Sequence, residues 1–381
     1  MAGTGVPAAS PPEFFPSIAL IRAVAALIVV YDHLCGIWPE RAHHTSTFAH
    51  WVDTWVLAPL SLMQHGGAFA VALFFMVSGF IIVYVGVRES PSAFAIRRAL
   101  RIYPPLWLSI ALLLACYVPA LMLSDAAGIR GFAINEVLAK ANPWPDVLAA
   151  ATLVNYLIGT PAINGVAWTL IIEVLFYLLV LALLPLLRTR PRLAIVAAFA
   201  VLLLLAVVAK SNTYLFLLAV NSVYVTYLFL GTLVYLRYMQ RIGNAFFVAG
   251  TVAFWGLFLY GINAHIAQPP WTLAGYGVSY ALAWLVFIAL LLVDKHIRLD
   301  PVTRFFSRIS YSLYLNHGGL GILALTLLVP YLGYRVSLVI TFAAVVAVSA
   351  VSYRFVELPS QRLARRWSQK TKRPGEKLAG A

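Results

Sequence analysis

Ten apolar runs, each of about twenty residues, leave this 381-residue chain little freedom in what it can become. Wound at about 1.5 Å per residue, such a run spans the roughly 30 Å hydrocarbon core of a bilayer. The runs lie at roughly 17–37, 67–87, 102–123, 166–187, 192–209, 213–235, 244–262, 274–293, 309–329 and 334–353. The predicted fold class is therefore all-α and integral to a membrane, a bundle of about ten transmembrane helices. The fifth run is the shortest, so nine or eleven spans also fit. With 62% hydrophobic and 10% charged residues, the chain is not a soluble domain.

The net charge of +14 would suit nucleic acid if it were evenly spread, but it is not. Of 27 Lys and Arg residues, 21 fall after even-numbered spans and in the tail, including Arg88, Arg188, Arg237, Lys295 and eight from Arg354 to Lys377. The alternate loops hold only Arg41, Arg130, Lys140, Lys210 and Arg335. This positive-inside pattern predicts both termini in the cytoplasm. It argues against nucleic acid as a partner and for membrane lipid, with part of the tail against anionic headgroups. Residues 1–16 are Pro/Ala-rich with no basic stretch, so they read as disordered and the first span as retained rather than cleaved. Residues 17–366 read as one membrane domain and 367–381 as a basic tail, with no repeat of 20–50 residues. Cys35 and Cys116 read as packing residues, with no disulfide or metal-type cluster. Any chemistry must then occur within the bundle.

Ionisable side chains at a helix centre cost on the order of 2.5–3.5 kcal/mol, so they usually mark function. The candidates are Arg22, Asp32, His33, Glu173 and His317. Arg22 and His33 are about three turns apart on one face, roughly 16 Å along the axis. They can serve two ends of one long ligand. Glu173 is expected roughly 10 Å from the outer end of its span, level with His33. A histidine and a carboxylate at one depth suit a base and its orienting partner. A buried polar pair that only fixes helix packing fits equally well.

Thr169, Glu173 and Tyr177 share a helix face that should point into the bundle. At the mouth of the third span, Arg97, Arg98, Arg101 and Tyr103 precede Pro104 and Pro105, which start or kink a helix. Clustered arginines suit phosphate oxygens through bidentate hydrogen bonds, or else lipid headgroups. Phe74-Phe-Met-Val-Ser78-Gly79-Phe80 sets a Ser-Gly pair mid-span, where backbone or ligand can approach closely. No G-x-S-x-G elbow surrounds Ser78, which argues against it as a nucleophile. Ser310, Tyr314 and His317 form a polar stripe. Trp38, Trp51, Trp55 and Trp144 read as an interfacial belt or as a platform for sugar faces. His43 and His44 are adjacent rather than at ligand spacing, so no metal is expected.

Six strings then occur in a telling order: Arg22-x10-His33, FFMVSGF around Ser78, the arginine stretch to Tyr103, Trp168 to Tyr177, ISYSLYLNH ending at His317, and YRFVELP around Glu357. Together they resemble the integral-membrane acyltransferase family, type three, which O-acetylates bacterial surface and secreted glycans. The resemblance runs from Ile18 to about Arg362. It implies transfer of an acyl group, usually acetyl from cytoplasmic acetyl-CoA, to a hydroxyl of a surface or exported glycan, free or lipid-linked. It implies a multi-pass protein of the bacterial inner membrane. His33 and Arg22 would be required for activity, with His33 as general base or transient acyl acceptor and Glu173 or Asp32 fixing its imidazole. Arg97, Arg98, Arg101 and Tyr103 would meet the coenzyme, with Ser78 and His317 along its path. Ala23 stands where relatives often carry glycine, and no esterase-like domain is appended.

Two other readings use the same residues. A transporter or flippase of a lipid-linked sugar shares the spans and buried charges, but the paired Gly/Pro-interrupted segments of such folds are not evident. A structural membrane protein would use Arg22, Glu173 and His317 only to lock helices. The sequence leaves acceptor, acyl length and oligomeric state open.

Overall fold

The computed structural model describes residues 15–123, 133–208, 212–269 and 271–370. Arg130, Lys210, most of the 1–16 head and most of the 367–381 tail lie outside the described residues. Numbering the long helices in chain order gives α1 (Pro16–Tyr31), α2 (Gly67–Gly86), α3 (Pro91–Leu123) and α4 (Trp168–Thr189). There follow α5 (Pro191–Val208), α6 (Thr213–Tyr238), α7 (Asn244–His265) and α8 (Leu273–Leu292). The stretch Pro301–Ser352 is helical on both sides of Gly333, whose φ of 69° and ψ of 162° break it. Glycine alone adopts that conformation without strain, and Pro330 just before it cannot donate to the ladder. Ser349 Oγ reaches the Ser312 carbonyl and Asn316 Nδ2 reaches Ser352 Oγ, so the chain doubles back.

These two arms are α9 (301–332) and α10 (334–352), and α11 (Leu358–Lys370) follows. Among the described residues nine helices are long and apolar enough to cross a membrane, and the last contains both arms. Among the described residues the protein is thus a helical bundle, and dividing the last span at Gly333 gives the ten apolar arms that the hydropathy predicts. The face carrying the starts of α1, α3 and α9 is here called proximal, and the opposite face distal.

Two boundaries depart from the apolar runs and both bear on function. α3 begins at Pro91, well before the run at 102, with Ser90 Oγ accepting from the Ala93 N–H. Pro is tolerated in a first turn because its missing N–H has no partner there. The arginine stretch is therefore helical, and Pro104 and Pro105 lie inside the helix rather than at its start. α1 does not end at Tyr31. Asp32–Ile37 forms a π turn in which Trp38 N–H bonds the His33 carbonyl, and helix continues to Arg41. Single π turns of this kind gather at functional sites.

α1 packs against α2 and the α9–α10 pair at the centre of the bundle. α2 and α6 approach closely at Gly79 and Gly231, where a Cβ on Gly79 would strike the Leu228 carbonyl. Another π turn, Tyr353–Glu357, tucks Glu357 inward, where Ser312 donates to it at 2.7 Å and Gln361 at 3.1 Å. Phe15, expected in a disordered head, instead packs edge-on against Phe80 and Tyr84 with centroids 5.5 Å away. On the distal face Trp38 is buried and stacked on Tyr334, whereas Trp51, Trp55 and Trp144 are exposed.

Candidate active site

Two cavities inside the helical bundle hold most of the candidate residues. The proximal one, about 190 Å³, is lined by Arg22 of α1, Ser78 of α2, Arg98 and Arg101 of α3, and Glu173 and Tyr177 of α4, with α9 closing it. Arg22 is held by Ser310, whose Oγ accepts from Nε at 3.2 Å and from Nη2 at 3.0 Å. Glu173 accepts from Ser78 Oγ at 2.7 Å and Tyr177 OH at 2.6 Å. Thr169, Glu173 and Tyr177 all line the cavity, as one turn-spaced face must if any of them does.

The charges do not balance. The lining carries three guanidinium groups and one carboxylate, and even with Glu357 buried nearby the cavity keeps an excess of positive charge receptive to an anion. Arg101 sits 5.7 Å from the Tyr311 ring centroid, and Arg98 5.7 Å from that of Phe94. Arg98 Nε is buried without a hydrogen-bond partner. A buried unsatisfied donor costs about 1–3 kcal/mol, so this one marks a place for an acceptor atom that a ligand can bring. Arg97 and Tyr103 are not part of this lining. Arg97 pairs with Glu89 and donates to Ser368 of α11 at 2.9 Å, while Tyr103 is half-buried against Trp107. The cause is helix phase: Arg98 and Arg101 face the cavity, and Arg97, about 100° round from Arg98, faces α11.

The distal cavity, about 410 Å³, is lined by His33, Arg41, Tyr117, Glu136, Val166 and Gly318 among others. His33 Nδ1 lies 3.0 Å from the Val29 carbonyl, 3.3 Å from Asp32 Oδ2 and 3.3 Å from His317 Nε2. The first two are pure acceptors, so Nδ1 carries the proton. His317 Nδ1 faces the Leu313 carbonyl at 3.1 Å and must donate there, which leaves its Nε2 free to accept from His33. Both tautomers agree. His33 Nε2 is then unprotonated, and it lies along Gly318, whose missing side chain keeps that edge of the ring open.

Asp32 is buried, and its carboxylate fills the space beside Gly67 at the N-terminus of α2, where any Cβ would strike it. The N-terminal end of that helix dipole therefore faces the Asp32 carboxylate. An imidazolium formed at His33 would thus meet a carboxylate, a carbonyl and a second imidazole.

Two expected placements change. Of the two carboxylates the sequence offers His33, Asp32 lies beside the imidazole, whereas Glu173 bonds Ser78 and Tyr177. Val166 in the short turn Gly165–Ala167 shares the His33 cavity, and Glu173 lies seven residues further, roughly 10 Å toward the proximal face. His317 accompanies His33 rather than the arginines. Arg41, Tyr117 and Glu136 escaped the sequence reading, and only the Gly318-Gly319 pair after His317 signalled an opening there. Among the described residues no group of three or more His, Cys, Asp or Glu is placed to hold a metal.

Residues 15–354 match the family described as an acyltransferase domain. Nodulation protein 10 of Rhizobium leguminosarum bv. viciae is 26% identical to the chain over 369 residues, covering 90% of this chain and 92% of that protein. No solved structure matches.

Proposed function

The chain belongs to this acyltransferase family and is a membrane acyltransferase, and from that premise we propose that it moves an acetyl group from acetyl-CoA to a glycan hydroxyl. The proximal face is then cytoplasmic, the membrane is the bacterial inner membrane, and the acceptor, free or lipid-linked, approaches from the distal side. The observation that carries this reading is the pairing of a cationic proximal cavity with a histidine-lined distal one. Arg98 and Arg101 would hold coenzyme phosphates, with the unsatisfied Arg98 Nε as the first donor. Arg22, further along the cavity, would bond carbonyl groups of the coenzyme arm.

His33 Nε2 takes the acceptor proton as the hydroxyl oxygen bonds the acyl carbon. As the carbon–sulfur bond breaks, the same nitrogen returns that proton to the departing thiolate. His317 and Asp32 hold Nδ1–H throughout, which keeps Nε2 the basic nitrogen and stabilises the transient cation. Glu173 stands outside this proton path. Glu173→Gln is therefore expected to slow transfer by about tenfold, the roughly 1.4 kcal/mol between charged and neutral hydrogen bonds. Initial rates at saturating acetyl-CoA measure this, and a loss matching that of His33→Ala would give Glu173 a direct proton role.

Label transfer from radiolabelled acetyl-CoA tests the whole reading in membranes with and without the chain. Label entering a polysaccharide or glycolipid fraction only when the chain is present supports it. Consumption of acetyl-CoA into a small-molecule fraction would keep the donor and replace the acceptor. No consumption with any lysate acceptor would remove acetyl-CoA as donor.

A further inference from the structure

The two cavities are one hydrogen bond apart. Tyr314 lines the proximal cavity and Val166 the distal one, and Tyr314 OH donates to the Val166 carbonyl at 3.0 Å. Thr169, in the proximal lining, donates from Oγ1 to the same phenol oxygen at 2.9 Å. The Tyr314 ring meets Phe74 edge-on at 5.8 Å and lies 5.6 Å from the His317 ring. His317 in turn touches His33, with ring centroids 4.6 Å apart. Val166 precedes α4 in a short turn, and its carbonyl takes the phenol together with a longer contact from Thr169 Oγ1 at 3.5 Å. A buried tyrosine normally finds a partner for its hydroxyl, so the hydrogen bonds alone imply only packing. Their location implies more: they close the boundary between the cationic cavity and the one that holds His33.

We propose that Tyr314 is a movable partition between the donor and acceptor half-sites. The inference rests on the reading above, in which the donor enters proximally and the acceptor distally. With Tyr314 in place, His33 lines only the distal cavity, so the thioester cannot meet it. At this boundary the Tyr314 ring packs on Phe74 and His317 and is held by two neutral hydrogen bonds, which a side-chain rotation would release. A membrane enzyme with a permanently open passage would admit water to the thioester and let solutes cross. A partition that opens only around the donor arm avoids both. Tyr314 is on this account a positioning residue, and it acts by deciding when His33 and the thioester share one space.

The test uses the full chain reconstituted in sealed vesicles, as wild type, Tyr314→Phe and Tyr314→Ala, with two readouts. One is flux of a small anion across the vesicle, which needs no donor and is independent of the assigned chemistry. The other is acetyl-CoA hydrolysis to acetate and free CoA without acceptor. Tyr314→Ala should raise flux and hydrolysis each by about tenfold or more, because excluded water is readmitted. Tyr314→Phe keeps the ring and loses both hydrogen bonds, so it should fall between the two. Unchanged flux in a Tyr314→Ala protein that reconstitutes like wild type would overturn the partition. Raised flux without acetyl-CoA hydrolysis in any protein would keep the partition and reject acetyl-CoA as donor.

Discussion

His33→Ala is expected to lower acyl transfer by about 10²–10⁴-fold, the usual contribution of a general base, while the protein still inserts and folds. The size of the loss follows from the geometry. Asp32, Val29 and His317 all address Nδ1, so the ring has one nitrogen left for chemistry, and that nitrogen borders the distal cavity. The fold should survive because His33 is half-buried at a cavity wall and its removal enlarges space that already exists. Donor affinity should survive as well, since His33 lines neither Arg98 nor Arg101. The measurement is initial rate and donor KM on detergent-solubilised protein shown to be monodisperse. A variant that keeps wild-type turnover would remove His33 from the mechanism. A variant that loses donor binding as well would place His33 in the donor site.

The bundle was legible because hydropathy reports directly on what must face lipid. Even the α9–α10 hairpin at Gly333 was visible as a gap between two apolar runs, although helix continues almost through it. The polar face of α4 and the stripe Ser310–Tyr314–His317 were legible for a related reason: helical phase is fixed once a helix exists. Depth was not. Counting from the edge of an apolar run sets Glu173 level with His33, but the turn Gly165–Ala167 before α4 is itself largely buried. Apolar residues in a buried turn look like membrane span, and the count starts too late. Partner choice is half legible: the sequence offers Glu173 and Asp32 for the His33 imidazole, and only the structure selects between them. Asp32 reaches His33 Nδ1 within a π turn, a local irregularity that no periodicity argument anticipates. Arg97 differs from Arg98 only in phase, and its partner on α11, Ser368, lies 271 residues away in the chain.

That difference in phase makes the arginines the sharpest remaining test. Arg98→Gln and Arg101→Gln should each raise donor KM by about 10- to 150-fold, the equivalent of the 1.5–3 kcal/mol of a hydrogen bond to a charged group. Turnover at saturation should change little, because coenzyme phosphates are held alike in ground and transition states and uniform binding moves KM alone. The double variant should fall short of the product, because both side chains line one cavity and face the same Glu173 carboxylate. Arg97→Gln should leave donor KM near wild type and instead loosen α11, since its partners are Glu89 and Ser368. The comparison of all three by donor saturation curves discriminates a donor site from a general basic surface. If the three residues only attracted anionic lipid or coenzyme to the proximal face, Arg97 would count as much as its neighbours and salt would erase the effect of all three. If Arg98 and Arg101 hold phosphate in the cavity, the buried pair alone moves KM, and screening by salt reaches them only weakly.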